Sequence, residues 1–200
     1  DGIRDVAVTG VQTCALPILP TAAERFLAPA SWFAFRRLTM TGESPRSLET
    51  RARHATCVAI GDVGVLILGP PGSGKSDLAL RLIDQPGFGL GRRLRRANLV
   101  ADDQVLLRPV RGRLVASCPA VIAGKLEVRG LGIVELIPRR RVTLGLAVEL
   151  LPWRKIERMP EAGSERFSAF GISLPLAYID AALASAPARV RAAVDCRAAL

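Results

Sequence analysis

The residue run most able to do chemistry is a complete phosphate-binding loop of the Walker A type. Its glycines allow a tight backbone turn in which successive N–H groups converge on phosphate oxygens, and the following helix adds its positive N-terminal end. The lysine can reach the β- and γ-phosphates of a nucleotide, and the final serine hydroxyl can ligate Mg²⁺. The run consists of Gly69, Pro70, Pro71, Gly72, Ser73, Gly74, Lys75 and Ser76.

A pair of adjacent carboxylates follows the loop along the chain. Asp102 and Asp103 end the apolar run at residues 98–101. Enzymes with such a loop use acidic residues at a strand end to hold magnesium or to position a nucleophile. Because side chains alternate across a strand, the two carboxylates can have different tasks, one near the metal and the other accepting a proton. The residues alone leave open which carboxylate has which task.

Two weaker candidates lie on either side of these motifs. Glu127 and Arg129 stand close to Gly130 and Gly132. Here the carboxylate could complete a Mg²⁺ shell and the guanidinium could clamp a phosphate, although a strand followed by a turn explains the pattern nearly as well. His54 is the only histidine, and a lone histidine is more often structural than catalytic.

The surrounding pattern predicts the elements that must position these residues. Apolar runs predict strands at residues 56–60 and 65–68, a helix at 76–84 and a further strand at 98–101. We also expect a turn at 61–64, a hairpin of 105–110 with 113–117 around Arg111 and Gly112, and a strand at 142–150. The alanine-rich tail, 176–200, is predicted to be mostly helical with a break near Pro187.

Composition limits the class of protein. The net charge is +10, with arginine clusters at 92–96 and 139–141. No aromatic residues are interleaved with these clusters for base stacking, so we interpret them as solvated faces or as a docking surface for a protein partner, and expect no nucleic acid. The longest apolar runs are too short for a membrane span. The four cysteines lack metal-ligand spacing, which suits a reducing cytoplasm.

The first fifty residues differ from the rest. Residues 1–18 resemble translated sequencing-adapter DNA more than native protein, and no motif appears before residue 51. We therefore expect two parts, a non-domain extension at 1–50 and a catalytic domain at 51–200.

Taken in order, these motifs resemble the catalytic domain of the HPr kinase/phosphorylase family over about residues 53–161. That family has a histidine before a strand-turn-strand, then the P-loop, then an Ala-Asp-Asp strand end and a Glu-x-Arg-Gly-Leu-Gly-Ile signature, which stands here at 127–133. A tryptophan and an arginine follow, here Trp153 and Arg158. The resemblance implies an α/β P-loop domain related to phosphoenolpyruvate carboxykinase, with a mixed sheet and a C-terminal helical tail.

The resemblance also implies an activity and its residues. The reaction is phosphorylation by ATP of a serine on HPr, the phosphocarrier protein of the sugar phosphotransferase system, in a cytoplasmic homo-oligomer that is often a hexamer. Lys75 would contact the nucleotide phosphates, and Asp102 would exchange the proton with the serine. The other implied site residues are the Mg²⁺ ligands Ser76 and Glu127, and the catalytic His54 and Arg158.

Departures from the family pattern narrow the expected activity. The chain resembles the short alphaproteobacterial form, without the N-terminal domain of longer members. The family's dephosphorylation motif is rich in Pro, Arg and Gly, but residues 173–178 contain no arginine and no glycine. We therefore predict a kinase more strongly than a kinase/phosphorylase. Two alternatives stay open, a P-loop small-molecule kinase and a nucleotide-binding regulator without catalysis.

Overall fold

A computed structural model describes residues 49–161 and 163–200. All of them belong to one compact unit, Ser44–Leu200. The expectations for the 1–50 extension therefore lie almost wholly outside the described residues, as does Cys14. In the described ranges, no helix is long and apolar enough to cross a membrane.

A nine-stranded mixed sheet forms the framework of the unit, with order β1-β5-β6-β9-β3-β2-β4 and with β11 and β10 attached beside β9. The central strand β9 pairs antiparallel with β6 through its first residues and parallel with β11 through its last, while β3 lies parallel along its other side. A separate two-stranded sheet joins β7 and β8. The strands are β1 Arg51–His54, β2 Thr56–Ile60, β3 Val63–Leu68, β4 Ala97–Ala101, β5 Gln104–Val110, β6 Arg113–Ser117, β7 Lys125–Val128, β8 Gly132–Glu135, β9 Arg141–Leu150, β10 Arg166–Ala169 and β11 Ile172–Ile179.

Burial on both faces explains why the central strands are continuously apolar. Along β3, Val65 and Ile67 belong to one buried cluster, and Leu66 and Leu68 belong to the other. This alternation is the two-residue period of a strand. The first cluster includes apolar residues of both α-helices, α1 Lys75–Asp84 and α2 Ala186–Cys196, and the second includes residues of β5, β6, β10 and β11.

A buried arginine joins the two helices. Arg191 of α2 is 3% exposed and donates to the carbonyls of Leu82, at 2.9 Å, and Gln85 at the end of α1. The last carbonyls of a helix lack partners within the helix, and a cation near them also complements the helix dipole. Arg191 therefore holds the C-terminal end of α1 against α2, which orients its N-terminal end toward the phosphate-binding loop.

Most predicted elements are confirmed, and the predicted α/β class with a mixed sheet and C-terminal helix is correct. The hairpin turns at Arg111 and Gly112, both with positive φ, as predicted. The helix predicted for the tail is wrong in its first part, since β11 continues to Ile179 and its last residues pair with β9. Pro187 does not break a helix but occupies the first turn of α2, where a missing N–H costs nothing.

Two further differences concern the start of the unit. The predicted turn at 61–64 is shorter, because β3 already begins at Val63. Arg51–His54 forms an edge strand against β5, although weak order was expected up to about residue 51. The segment is exposed throughout and has no apolar pattern, so its pairing depends on backbone hydrogen bonds that composition does not reveal.

Candidate active site

The phosphate-binding loop connects the buried end of β3 to the first residue of α1. Gly69, Gly72 and Gly74 have φ values of 149°, 75° and 91°. A side chain at Gly69 would also meet Ser73 Oγ at 2.6 Å and Leu150 Cβ at 3.2 Å, so this position has no room for one. The backbone conformation therefore favours glycine at all three positions, and Gly69 also lacks the space for a side chain.

The lysine of the loop is folded onto its own backbone. Lys75 is 7% exposed, and Nζ donates to the carbonyl oxygens of Gly69 at 3.1 Å and Pro70 at 3.0 Å. Burial lowers the pKa of Lys75, against the opposing effect of Asp103 and Asp102. Ser73 Oγ is buried in the same loop without a hydrogen-bond partner. A cationic amine and an unsatisfied hydroxyl in one loop fit an incoming phosphate.

Asp102 lies behind this loop as a buried acceptor. It is 6% exposed, and its Oδ1 accepts hydrogen bonds from Thr56 Oγ1 at 2.7 Å and Ser76 Oγ at 2.9 Å. The hydrogen bond from Ser76 connects the residue after β4 to the start of α1. Because the Ser76 hydroxyl donates a hydrogen bond to Asp102, the lone pairs of the Ser76 oxygen are left available to a cation.

Asp103 points the other way. Its φ of 65° and the turn bond from Gln104 N to Asp102 O, at 2.7 Å, reverse the chain after β4. The Asp103 carboxylate is 81% exposed, and its Oδ1 lies 3.1 Å from Nδ1 of His54. His54 Nδ1 is also 3.1 Å from the Asp103 carbonyl oxygen. The two carboxylates therefore point in different directions, because the positive φ of Asp103 reverses the chain after β4.

Lys75, Ser76, Asp103 and His54 line a cleft of about 520 Å³, a volume typical of small-molecule sites. The cleft brings together residues far apart in sequence, including the β7–β8 hairpin residues Glu127 and Arg129. Its lining comprises His54, Thr56, Pro71, Gly72, Gly74, Lys75, Ser76, Asp77, Leu80, Asp103, Glu127, Val128 and Arg129.

Five predicted site residues are not part of this lining, namely Gly69, Pro70, Ser73, Asp102 and Arg158. Asp102 contacts the cleft through Thr56 and Ser76 but does not line it. Arg158 is exposed in the connection between β9 and β10 and is not part of the lining. Trp153 is also outside the cleft, where its ring stacks under Arg189 at 4.7 Å. The predicted catalytic role of Arg158 therefore stays a prediction.

Sequence reasoning missed Thr56, the buried partner of Asp102. It is the first residue of a strand whose other residues are apolar. Nothing in the local pattern indicates that β2 and β4 lie side by side and bring Thr56 to Asp102.

The oxygen ligands near the cleft suit Mg²⁺ better than a metal ion coordinated only by protein side chains. No group of three or more His, Cys, Asp or Glu side chains that could hold a metal ion occurs in residues 49–161 and 163–200. Mg²⁺ commonly keeps several waters and binds through one or two carboxylates together with substrate phosphates. Ser76, Asp102 and Glu127 provide oxygen ligands of that kind.

Comparison with known proteins agrees with this geometry. The family model described as "HPr Serine kinase C-terminal domain" matches residues 46–184. The solved structure titled "Structure of the Hpr(Ser) kinase/phosphatase from Coxiella burnetii" superposes with a TM-score of 0.60 at 26% identity, covering 72% of this chain and 94% of that one.

Two relatives named HPr kinase/phosphorylase are similar over much of the chain. The protein from Clostridium tetani is 34% identical over 138 residues, or 66% of this chain and 42% of its own length. The protein from Geobacillus thermodenitrificans is 32% identical over 176 residues, or 80% of this chain and 53% of its own length. The chain thus spans about half the length of these relatives. With the family model matched across more than half of its residues, the chain belongs to the HPr serine kinase C-terminal domain family.

Proposed function

We propose that this protein is a serine kinase that transfers the γ-phosphoryl group of ATP to HPr and so regulates the phosphotransferase system. The observation that carries the proposal is the meeting of the phosphate-binding loop with Asp103, His54 and Glu127 around one cleft. The names of the relatives support HPr as the acceptor. A cytoplasmic location and a homo-oligomeric state belong to the same proposal.

Phosphate binding depends on the loop and its lysine. In this proposal, Lys75 exchanges the carbonyls of Gly69 and Pro70 for phosphate oxygens, and the unpartnered Ser73 hydroxyl donates to another. The N-terminal end of α1 has no side-chain cap, so its first N–H groups are free to face the phosphates. Magnesium, when bound by Ser76, Glu127 and Asp102, would neutralise part of the charge on the phosphates.

The two aspartates have different roles in this proposal, one accepting a proton and the other positioning Ser76. The resemblance to the family assigns the proton acceptor to Asp102, but the geometry supports Asp103. Asp102 is buried and its Oδ1 already accepts two hydrogen bonds, whereas the Asp103 carboxylate opens into the cleft beside His54. We therefore propose that Asp103 takes the proton of the acceptor serine, while Asp102 positions Ser76.

The transfer itself is a single exchange of bonds. The serine oxygen forms a bond to the γ-phosphorus, the bond from that phosphorus to the β,γ-bridging oxygen breaks, and ADP leaves. The serine proton passes to Asp103, and His54 orients the accepting carboxylate through its 3.1 Å contact. Arg129, which lines the cleft, is placed to contact phosphate oxygens.

The test is phosphorylation of purified HPr with ATP and Mg²⁺, read as phosphoserine by mass spectrometry. Asp103→Asn should lose transfer by about a hundredfold or more while it still binds the nucleotide. Asp102→Asn should instead weaken binding of the Mg²⁺–nucleotide complex. Asp84→Asn, at the exposed end of α1, is the matched control.

Each result has a defined meaning. Nucleotide binding without any phosphoserine on HPr would reject the kinase proposal in favour of a nucleotide-binding regulator. Full activity in Asp103→Asn together with loss in Asp102→Asn would return the proton acceptor to Asp102. Running the assay in reverse with phosphorylated HPr and inorganic phosphate tests the phosphorylase activity, which we expect to be weak or absent.

A further inference from the structure

A basic cavity lies beside the start of β3, at the opposite end of that strand from the candidate active site. It has a volume of about 570 Å³, and its lining includes Arg108, Arg111, Arg139 and Arg141, with Asp62 as the single acidic side chain. β3 starts beside Asp62 and ends at the phosphate-binding loop, and a six-residue strand spans about 20 Å. The cavity is therefore separate from the nucleotide cleft.

Strand register builds the arginine cluster. Arg108 on β5 is directly opposite Val115 on β6, which is directly opposite Thr143 on β9. Directly paired residues share a face, and so do residues two apart on a strand, so Arg108 and Arg141 project from the same face of the sheet. Arg111 joins them from the hairpin turn.

The charges in this cavity are mostly uncompensated. Arg139 donates to the carbonyl of Gly61 and, at 3.0 Å, to Oδ1 of Asp62. In the part of the chain that the structure describes, the guanidinium groups of Arg108, Arg111 and Arg141 have neither a hydrogen-bond nor an ion-pair partner. Like charges held close together repel one another, and an anion bound between them would relieve that repulsion.

An adjoining cavity extends the positive surface. It has a volume of about 430 Å³, shares Asp62 and Thr143 with the first cavity and adds Arg113 and Arg197. Asp62 is its single acidic side chain as well. Six arginines and one carboxylate therefore line the two cavities at this end of β3.

We propose that the Arg108–Arg141 cavity binds a compact multivalent oxyanion of the phosphate class. The arginine fork matches phosphate oxygens in pairs, and the cavity volume lies in the range of small-molecule sites. The lining contains no aromatic side chain on which a nucleobase could stack, which disfavours single-stranded nucleic acid. A concave site lined by four arginines also suits a compact anion better than an extended acidic segment.

Inorganic pyrophosphate is the probe, titrated by calorimetry without metal ions. The full-length chain carries Lys75→Met in every sample, which removes the lysine's contact with phosphate in the nucleotide loop. We expect saturable binding of one pyrophosphate per chain. Arg108→Gln/Arg141→Gln should weaken it about tenfold or more, because charge-assisted hydrogen bonds are lost.

The matched control is Arg92→Gln/Arg93→Gln, which removes the same charge from the exposed connection after α1. It should leave the affinity within about twofold, because exposed charges beyond a screening length act weakly. Arg111→Gln, a single change in an exposed turn, provides a second variant in case the double substitution impairs folding, which circular dichroism monitors.

Three outcomes would overturn the proposal. The first is the absence of saturable binding. The second is an equal loss in the Arg92/Arg93 control, which would indicate attraction to net charge alone. The third is tighter binding of hexaglutamate than of pyrophosphate, which would make the cavity a docking surface for an acidic protein segment.

Discussion

The hydrogen bond between Thr56 and Asp102 provides a quantitative test of how the site is held. Thr56 is fully buried, and its hydroxyl donates to Asp102 Oδ1 at 2.7 Å. Thr56→Val keeps the shape of the side chain and removes the donor. Hydrogen bonds to charged groups contribute about 1.5–3 kcal/mol, so we expect the free energy of unfolding to fall by about 2 kcal/mol. Asp102 would then retain only the bond from Ser76.

Urea denaturation at neutral pH without nucleotide measures this loss. Thr56→Ser keeps the donor and deletes a buried methyl group, which should cost only about 1 kcal/mol. Thr143→Val, an exposed threonine on β9, is the surface control and should change stability by less than about 0.5 kcal/mol. A double-mutant cycle with Asp102→Asn should give a coupling energy of at least about 1 kcal/mol.

The reasoning would be refuted if Thr56→Val were as stable as Thr56→Ser. It would also be refuted if the cycle gave a coupling near zero, since Asp102 would then be held in place by other contacts. A further consequence concerns function. Because the same carboxylate oxygen accepts the hydrogen bond from Ser76, Thr56→Val should also weaken binding of the Mg²⁺–nucleotide complex.

Three other perturbations address single features. Gly74→Ala should lower the free energy of unfolding by about 1–2 kcal/mol through strain at its φ of 91°, and further through a close contact with Ala181 Cβ at 3.2 Å. Gly112 also has a positive φ, but a side chain there would meet open space, so equal losses in the thermal melts of Gly74→Ala and Gly112→Ala would exclude the contact with Ala181. Burial lowers the pKa of Lys75, so the unfolded chain binds more protons than the folded chain as pH approaches the ordinary lysine value of 10.5. The stability of the wild type relative to Lys75→Met should therefore rise with pH in that range, and a pH-independent difference in urea midpoints would contradict this. Burial also raises the pKa of Cys57, so peptide mapping after iodoacetamide treatment should find exposed Cys196 modified and Cys57 unmodified until the chain unfolds; early modification of Cys57 would refute its burial.

Local sequence patterns predicted those parts of the site that depend on short-range geometry. The glycines of the phosphate-binding loop, its lysine and the flanking strand and helix lie within a short stretch of chain, so composition and period predict them together. The Arg111–Gly112 hairpin is equally local. The apolar runs also predicted the strands β2 and β3.

Long-range pairing decided what local patterns could not predict. Leu176 and Ile179 lie in a segment whose alanine content favours a helix, yet the partner offered by β9 buries them as a strand. Such a tertiary override of propensity is common for strands. The edge strand β1, which carries His54, has no apolar pattern and forms only because β5 offers free backbone groups.

The sequence by itself determined that this chain has a phosphate-binding loop, two carboxylates after a strand and the signature at Glu127, because each is written in neighbouring residues. Only the tertiary structure decided how the carboxylates differ. Packing of β2 beside β4 buries Asp102 against Thr56 and Ser76, while the positive φ of Asp103 turns its carboxylate out toward His54. Burial and the direction of a side chain depend on neighbours distant in sequence, and the same dependence collects scattered arginines beside the start of β3.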